Sequence, residues 1–98
     1  MDEKRLSGLM GLCVRAGQAV FGEEGCLKAL REDKAALLLM DGAISDATCG
    51  KYESLCRRKD IPAVRLRPGL LAESTGRTGM AMAVRTGGLA EQIRACLD

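Results

Sequence analysis

With 98 residues the chain has room for one domain and one core, and its single Phe, single Tyr and lack of Trp exclude an aromatic-filled β-sandwich. Its 15 Lys and Arg against 13 Asp and Glu, with no His, give a net charge too small to name a partner and remove the commonest general base and zinc ligand. No apolar run approaches the roughly 20 residues of a membrane span, and the opening MDEKRLSG carries no signal-peptide core, so a cytoplasmic protein is expected.

Along the chain, Leu6, Leu9, Met10 and Cys13 recur at three- and four-residue steps, which predicts an amphipathic helix over Lys4 to Arg15, stopped by Gly17. Ala19 to Phe21 is a short extended piece, and Glu23 to about Arg31 a second helix with Leu27 and Leu30 inward. The run Ala35 to Met40 is continuously apolar and of strand length, as a central strand covered on both faces would be. After Asp41-Gly42, Ser45 or Asp46 can cap a third helix to about Lys59, burying Cys49, Tyr52, Leu55 and Cys56.

Ile61 to Leu66 reads as a strand that Pro62 restricts to a start or an edge. Arg67-Pro68-Gly69 turns into a short helix ending at Gly76. Met80 to Val84 is a second apolar strand, and Gly87-Gly88 leads into a last helix with Leu89, Ile93, Cys96 and Leu97 on one face. Alternating helices and strands with short connections predict an α/β fold. Residues 1–98 are expected to form a single-domain three-layer α/β/α sandwich on a small, about four-stranded mixed sheet.

The chemistry-bearing patterns are mostly absent. The five cysteines (Cys13, Cys26, Cys49, Cys56, Cys96) are odd in number, contain no CxxC and read as reduced core residues, so no metal site is expected. No GxSxG, phosphate loop or GxGxxG occurs, and Gly76-Arg77-Thr78-Gly79 is explained by a plain loop between helix and strand. The expectation is a protein that is not an enzyme and uses no cofactor. Charge is unevenly spread: residues 1–49 hold six bases and eight acids, residues 50–98 nine bases and five acids. That is either a cationic helix end around Arg57, Arg58 and Lys59 or a basic edge for phosphates.

The stretch FGEEGCLKALR admits two readings. In one, Glu23 and Glu24 favour the positive end of the helix and Glu24 pairs with Lys28 four residues on, for a few tenths of a kcal/mol each. In the other, free amides at the helix start hold a phosphate, while Lys28 and Arg31 hold further phosphates or a guanine edge. There the carboxylates accept from the N–H donors of unpaired bases, which is how RNA is usually specified.

Three segments carry a resemblance: LMGLCVRAGQAVFGEEGCLKALRED, AALLLMDGAISDATCGKYESLCRRKDIPAV and LLAESTGRTGMAMAVRTGGLAEQI. They resemble the ribosomal proteins of the L-seven-Ae and L-thirty-e type, with their S-twelve-e and Gadd members, and most closely the small bacterial YlxQ-like proteins. The resemblance implies a non-enzymatic RNA-binding protein, ribosomal or RNP-associated, that recognises kink-turns. Its implied partners are a structured RNA, such as rRNA or a kink-turn-like element, and ribosome or RNP proteins.

In that family the second helix opens with Gly-x-Asn-Glu-x-x-Lys, which enters the RNA major groove, and a loop before the fourth helix covers an extruded base. Gly22 matches the glycine and Lys28 the lysine, whereas Glu24 stands at the asparagine and Gly25 at the glutamate or glutamine. The resemblance thus implies RNA contacts from Gly22, Glu23, Glu24, Gly25, Lys28 and Arg31. The loop Arg65 to Leu71 would add Arg67 on a phosphate, with Gly69 and Leu70 against a splayed base. The alternative is a protein–protein interaction module on the same fold that no longer recognises kink-turns.

Overall fold

The computed structural model describes residues 1–97. In chain order these form α1 (Glu3–Arg15), β1 (Ala19–Phe21), α2 (Glu23–Arg31), β2 (Ala35–Met40), α3 (Asp46–Lys59), β3 (Ala63–Arg65), α4 (Leu70–Thr75), β4 (Ala81–Arg85) and α5 (Gly88–Leu97). The four strands make one mixed sheet in the order β1-β4-β2-β3. β4 runs antiparallel to both β1 and β2, and β3 runs parallel to β2. A parallel neighbour needs a crossover, which α3 supplies.

The two central strands explain the three layers. Side chains alternate across a strand, so Leu37 and Leu39 of β2, with Met82 and Val84 of β4, face α1, α4 and α5. Leu38 and Met40, with Ala81 and Ala83, face α2 and α3. The small alanines on that second face let α2 and α3 settle close to the sheet, and the bulk is supplied by Leu30, Leu27, Tyr52 and Leu55 of the helices. A chain with two aromatic side chains thus still fills two cores.

Helix limits follow local chemistry. The Ser45 Oγ accepts the Thr48 amide at 3.2 Å, which fixes Ser45 rather than Asp46 as the α3 cap. Gly76, at φ 71°, ends α4 where the sequence places the stop.

Two strands differ from their sequence limits. β3 is shorter than Ile61 to Leu66 because the Ile61 amide is taken by the Cys56 carbonyl at the end of α3, 2.8 Å away. β4 starts at Ala81 rather than Met80. The Met80 carbonyl accepts the Asp41 amide at 2.8 Å, while its side chain is 45% exposed. No helix among the described residues is long and apolar enough to cross a membrane.

Candidate functional site

The end of the sheet where β1 and β2 finish and β4 begins gathers three loops and two helix starts. α2 begins there directly after Phe21, and Gly22 makes the turn at φ 87° and ψ 145°. That backbone region is essentially open to glycine alone. Gly22 has no side chain to cap the helix, and the first intrahelical bond runs from the Cys26 amide to the Gly22 carbonyl at 2.9 Å. The amides of Glu23, Glu24 and Gly25 therefore have no protein acceptor among the described residues. They point outward at the positive end of the helix dipole.

Beside them is an open cleft of about 410 Å³, lined by Gly22, Glu23, Ser45, Thr48, Gly79 and Met80, with Tyr52 at its base. The starts of α2 and α3 face each other across it. An exposed ion pair, Lys51 Nζ to Glu23 Oε1 at 3.2 Å, spans the two helices; such pairs contribute less than about 1 kcal/mol. On the other side the Arg77 guanidinium lies 5.0 Å from the centre of the Phe21 ring, a cation–π contact that holds the α4–β4 loop beside the start of α2.

Asp41 ties the loops together. It is 4% exposed; its carboxylate accepts the Ala43 amide at 2.8 Å and the Gly69 amide at 3.0 Å, and its own amide binds Met80. A buried carboxylate is tolerated only when hydrogen-bonded in this way.

The expected residues separate into two groups. Gly22, Glu23, Glu24, Gly25, Lys28 and Arg31 share the start and outer face of α2, all of them at least partly exposed. The Glu24–Lys28 pair expected from spacing does not form: neither side chain has an ion-pair partner among the described residues, and Arg31 has none either. Arg67, Gly69 and Leu70 do not line this cleft.

Arg67 is held by Glu3 at 2.8 Å and by both carboxylate oxygens of Glu73 at 3.0 and 2.9 Å, so its charge is already met by two acids within the protein. Leu70 is 2% exposed and packs among α1, α4 and α5, which leaves its side chain no surface for a base. The loop that does border the cleft is Arg77 to Met80. Its signal was an apolar run whose first residue, Met80, follows two loop glycines and an arginine. Only the antiparallel β1–β4 pairing, Phe21 opposite Met82, brings that loop to α2.

The thiols are unsuited to nucleophilic work. All five cysteines are free and buried. Burial pushes Cys13 and Cys26 above the ordinary thiol range and Cys56 up to about 11, whereas a reactive cysteine needs a stabilised thiolate. The cleft and the exposed face of α2 beside it together offer three amide donors, a Glu24 carboxylate without an ion-pair partner among the described residues, the cations Lys28 and Arg31, and an exposed apolar Met80. Those groups match a ligand with anionic oxygens, N–H donors and a flat apolar face.

Residues 4–92 match the model of the ribosomal protein L7Ae/L30e/S12e/Gadd45 family. No curated protein sequence matches the chain. The fold is similar to a protein of unknown function from Bacillus halodurans C, with a TM-score of 0.89 at 24% identity over 96% of this chain and 97% of that one. It is also similar to the Giardia lamblia 15.5kD RNA binding protein, with a TM-score of 0.75 at 16% identity over 94% of this chain and 80% of the other.

Proposed function

Since the chain belongs to the ribosomal protein L7Ae/L30e/S12e/Gadd45 family, we propose that it is a non-enzymatic, ribosomal or RNP-associated protein that binds a kink-turn-like structured RNA through the start of α2. The observation that carries this reading is the open mouth of that helix. Among the described residues the amides of Glu23, Glu24 and Gly25 have no partner, and Lys28 and Arg31 stand exposed without ion pairs. The fold shared with the Giardia RNA binding protein supports it.

The roles follow from donor and acceptor chemistry. The amides and Lys28 take phosphate or guanine acceptors. Glu24, an acceptor only, is repelled by phosphate and matched to the N–H donors of a guanine pairing edge. That preference favours sites where the edge is exposed, as in sheared or unpaired bases rather than a Watson–Crick stem. The Arg77–Met80 loop supplies an apolar edge on which a turned-out base can rest. Ribosomal or RNP proteins are the further partners this reading carries.

Filter binding against a kink-turn RNA and a straight duplex of the same length, over a salt series, tests the proposal. A kink-turn affinity at least tenfold above the duplex, falling steeply with salt, is the expected result. Equal affinities reject recognition of the bend, and a flat salt response rejects phosphate contact. A second reading, a protein-interaction module, is favoured by Gly25, where the family's base-contacting side chain is missing. Co-purification with a protein that survives nuclease treatment, together with no RNA affinity, would select it.

A further inference from the structure

A second hollow, of about 230 Å³, lies on the flank of α2 away from the cleft and is lined by Val20, Gly25, Lys28, Ala29, Glu32, Lys34 and Arg85. Lys28 and Lys34 flank the end of α2, and the sheet brings the remote Arg85 beside them. Arg85 pairs with Ala35 across β4 and β2, and the Thr86 amide donates to the Lys34 carbonyl at 3.3 Å. Lys34 and Arg85 are therefore fixed at neighbouring strand ends, facing the Lys28 side of α2. All three side chains are exposed. The hollow holds one acid, Glu32, which pairs with Lys34 at 3.2 Å, so an excess of two positive charges remains.

We propose that Lys28, Lys34 and Arg85 form a phosphodiester-binding site that continues the RNA path from the start of α2 along its flank. The inference rests on the RNA reading above. Gly25 links the two regions: its free amide belongs to the helix start and its Cα to the floor of the hollow. A side chain there would begin 3.2 Å from Val20 Cγ1, so glycine keeps the floor open.

The rest of the floor, Val20 and Ala29, presents no hydrogen-bonding side chain. No aromatic face in the hollow can stack a base, and its cations stand on exposed, flexible chains with no neighbouring side chain that would fix them on a base edge. Its chemistry is that of a polyanion backbone: point charges on an open surface, without the enclosed polar contacts that a free phosphate metabolite would need.

Glu32 makes the inference testable in two directions. The double variant Lys34→Gln with Arg85→Gln removes two exposed cations and should make the slope of log affinity against log salt shallower by about 1 to 2. Affinity at low salt should fall about tenfold, for kink-turn and duplex alike. Glu32→Gln releases Lys34 and should do the reverse, steepening the slope and tightening binding severalfold.

Circular dichroism on each variant checks that the helices are intact. If the unaltered protein shows salt-dependent RNA binding but neither variant changes its slope, this site is overturned and the α2 reading stands. If the unaltered protein binds no RNA, both fall. A double variant that loses affinity for the kink-turn alone would also overturn the site, because backbone contacts carry no sequence or shape preference of that kind.

Discussion

Gly22 and Gly42 are glycines for opposite reasons. At Gly22 a Cβ would meet nothing within 4 Å, but the backbone sits at φ 87°, so Gly22→Ala should destabilise by about 1–3 kcal/mol through backbone strain alone. At Gly42 the backbone is unstrained, yet a Cβ would lie 2.5 Å from the Leu66 carbonyl oxygen and 2.8 Å from Pro68 Cδ. Gly42→Ala must then push the β3–α4 loop away, at a similar magnitude. Urea midpoints measure both; a midpoint unchanged by either substitution would remove the corresponding cause. Lys28 gives the complementary case. Because it has no ion-pair partner among the described residues, Lys28→Ala should leave stability from urea unfolding within about 0.5 kcal/mol while weakening kink-turn binding by about 1–3 kcal/mol. A loss of stability with unaltered affinity would return Lys28 to the role of a helix-surface charge.

At the scale of elements, the Arg67 fork joins the start of α1, the β3–α4 loop and α4 through Glu3 and Glu73. The hydrogen bonds from Arg67, and its charge, hold the Glu73 carboxyl below the usual carboxylate range. A folded-state value below the unfolded one means that Glu73 contributes stability above its ordinary pKa of about 4.3, and that this contribution fades as pH falls through the lowered value. Urea midpoints taken from pH 6 down to about pH 3 should therefore decline, and Glu73→Gln should flatten part of that decline while lowering the midpoint at neutral pH. The same fork shows what a linear reading misses. Arg67 beside Pro68 and Gly69 looks like a free loop cation, because its partners stand 64 and 6 residues away. Helices α1 to α3 were readable, since periodicity, caps and stops are local properties. β3 lost its first residues to a helix-end carbonyl, a competition that spacing does not display.

Over the whole molecule, the three-layer plan was evident in the two apolar runs Ala35 to Met40 and Met80 to Val84, which need cover on both faces. The start of α2 was evident in Gly22 and the charges after it. The neighbour of that helix was not, because strand order 1-4-2-3 is a long-range property; it seats Arg77 on Phe21 and puts the α4–β4 loop, not the β3–α4 loop, at the cleft. The same layering buries a thiol on both sides of the sheet, which allows the RNA proposal to be tested without mutation. Cys26 lies under the start of α2 and is fully buried, with its thiol donating to the Val20 carbonyl at 3.2 Å, so a thiol reagent reaches it only when the structure opens. In the native protein all five cysteines should resist labelling over minutes and react promptly in denaturant. RNA that binds only the folded state adds RT ln(1 + [L]/Kd), about 2.7 kcal/mol at a hundredfold excess over Kd. Kink-turn RNA at that level should slow the labelling of Cys26, read by mass spectrometry, by about a hundredfold, and the effect should vanish in high salt as phosphate contacts are lost. Labelling of Cys26 at the same rate with and without RNA would mean that the helix above it holds no ligand.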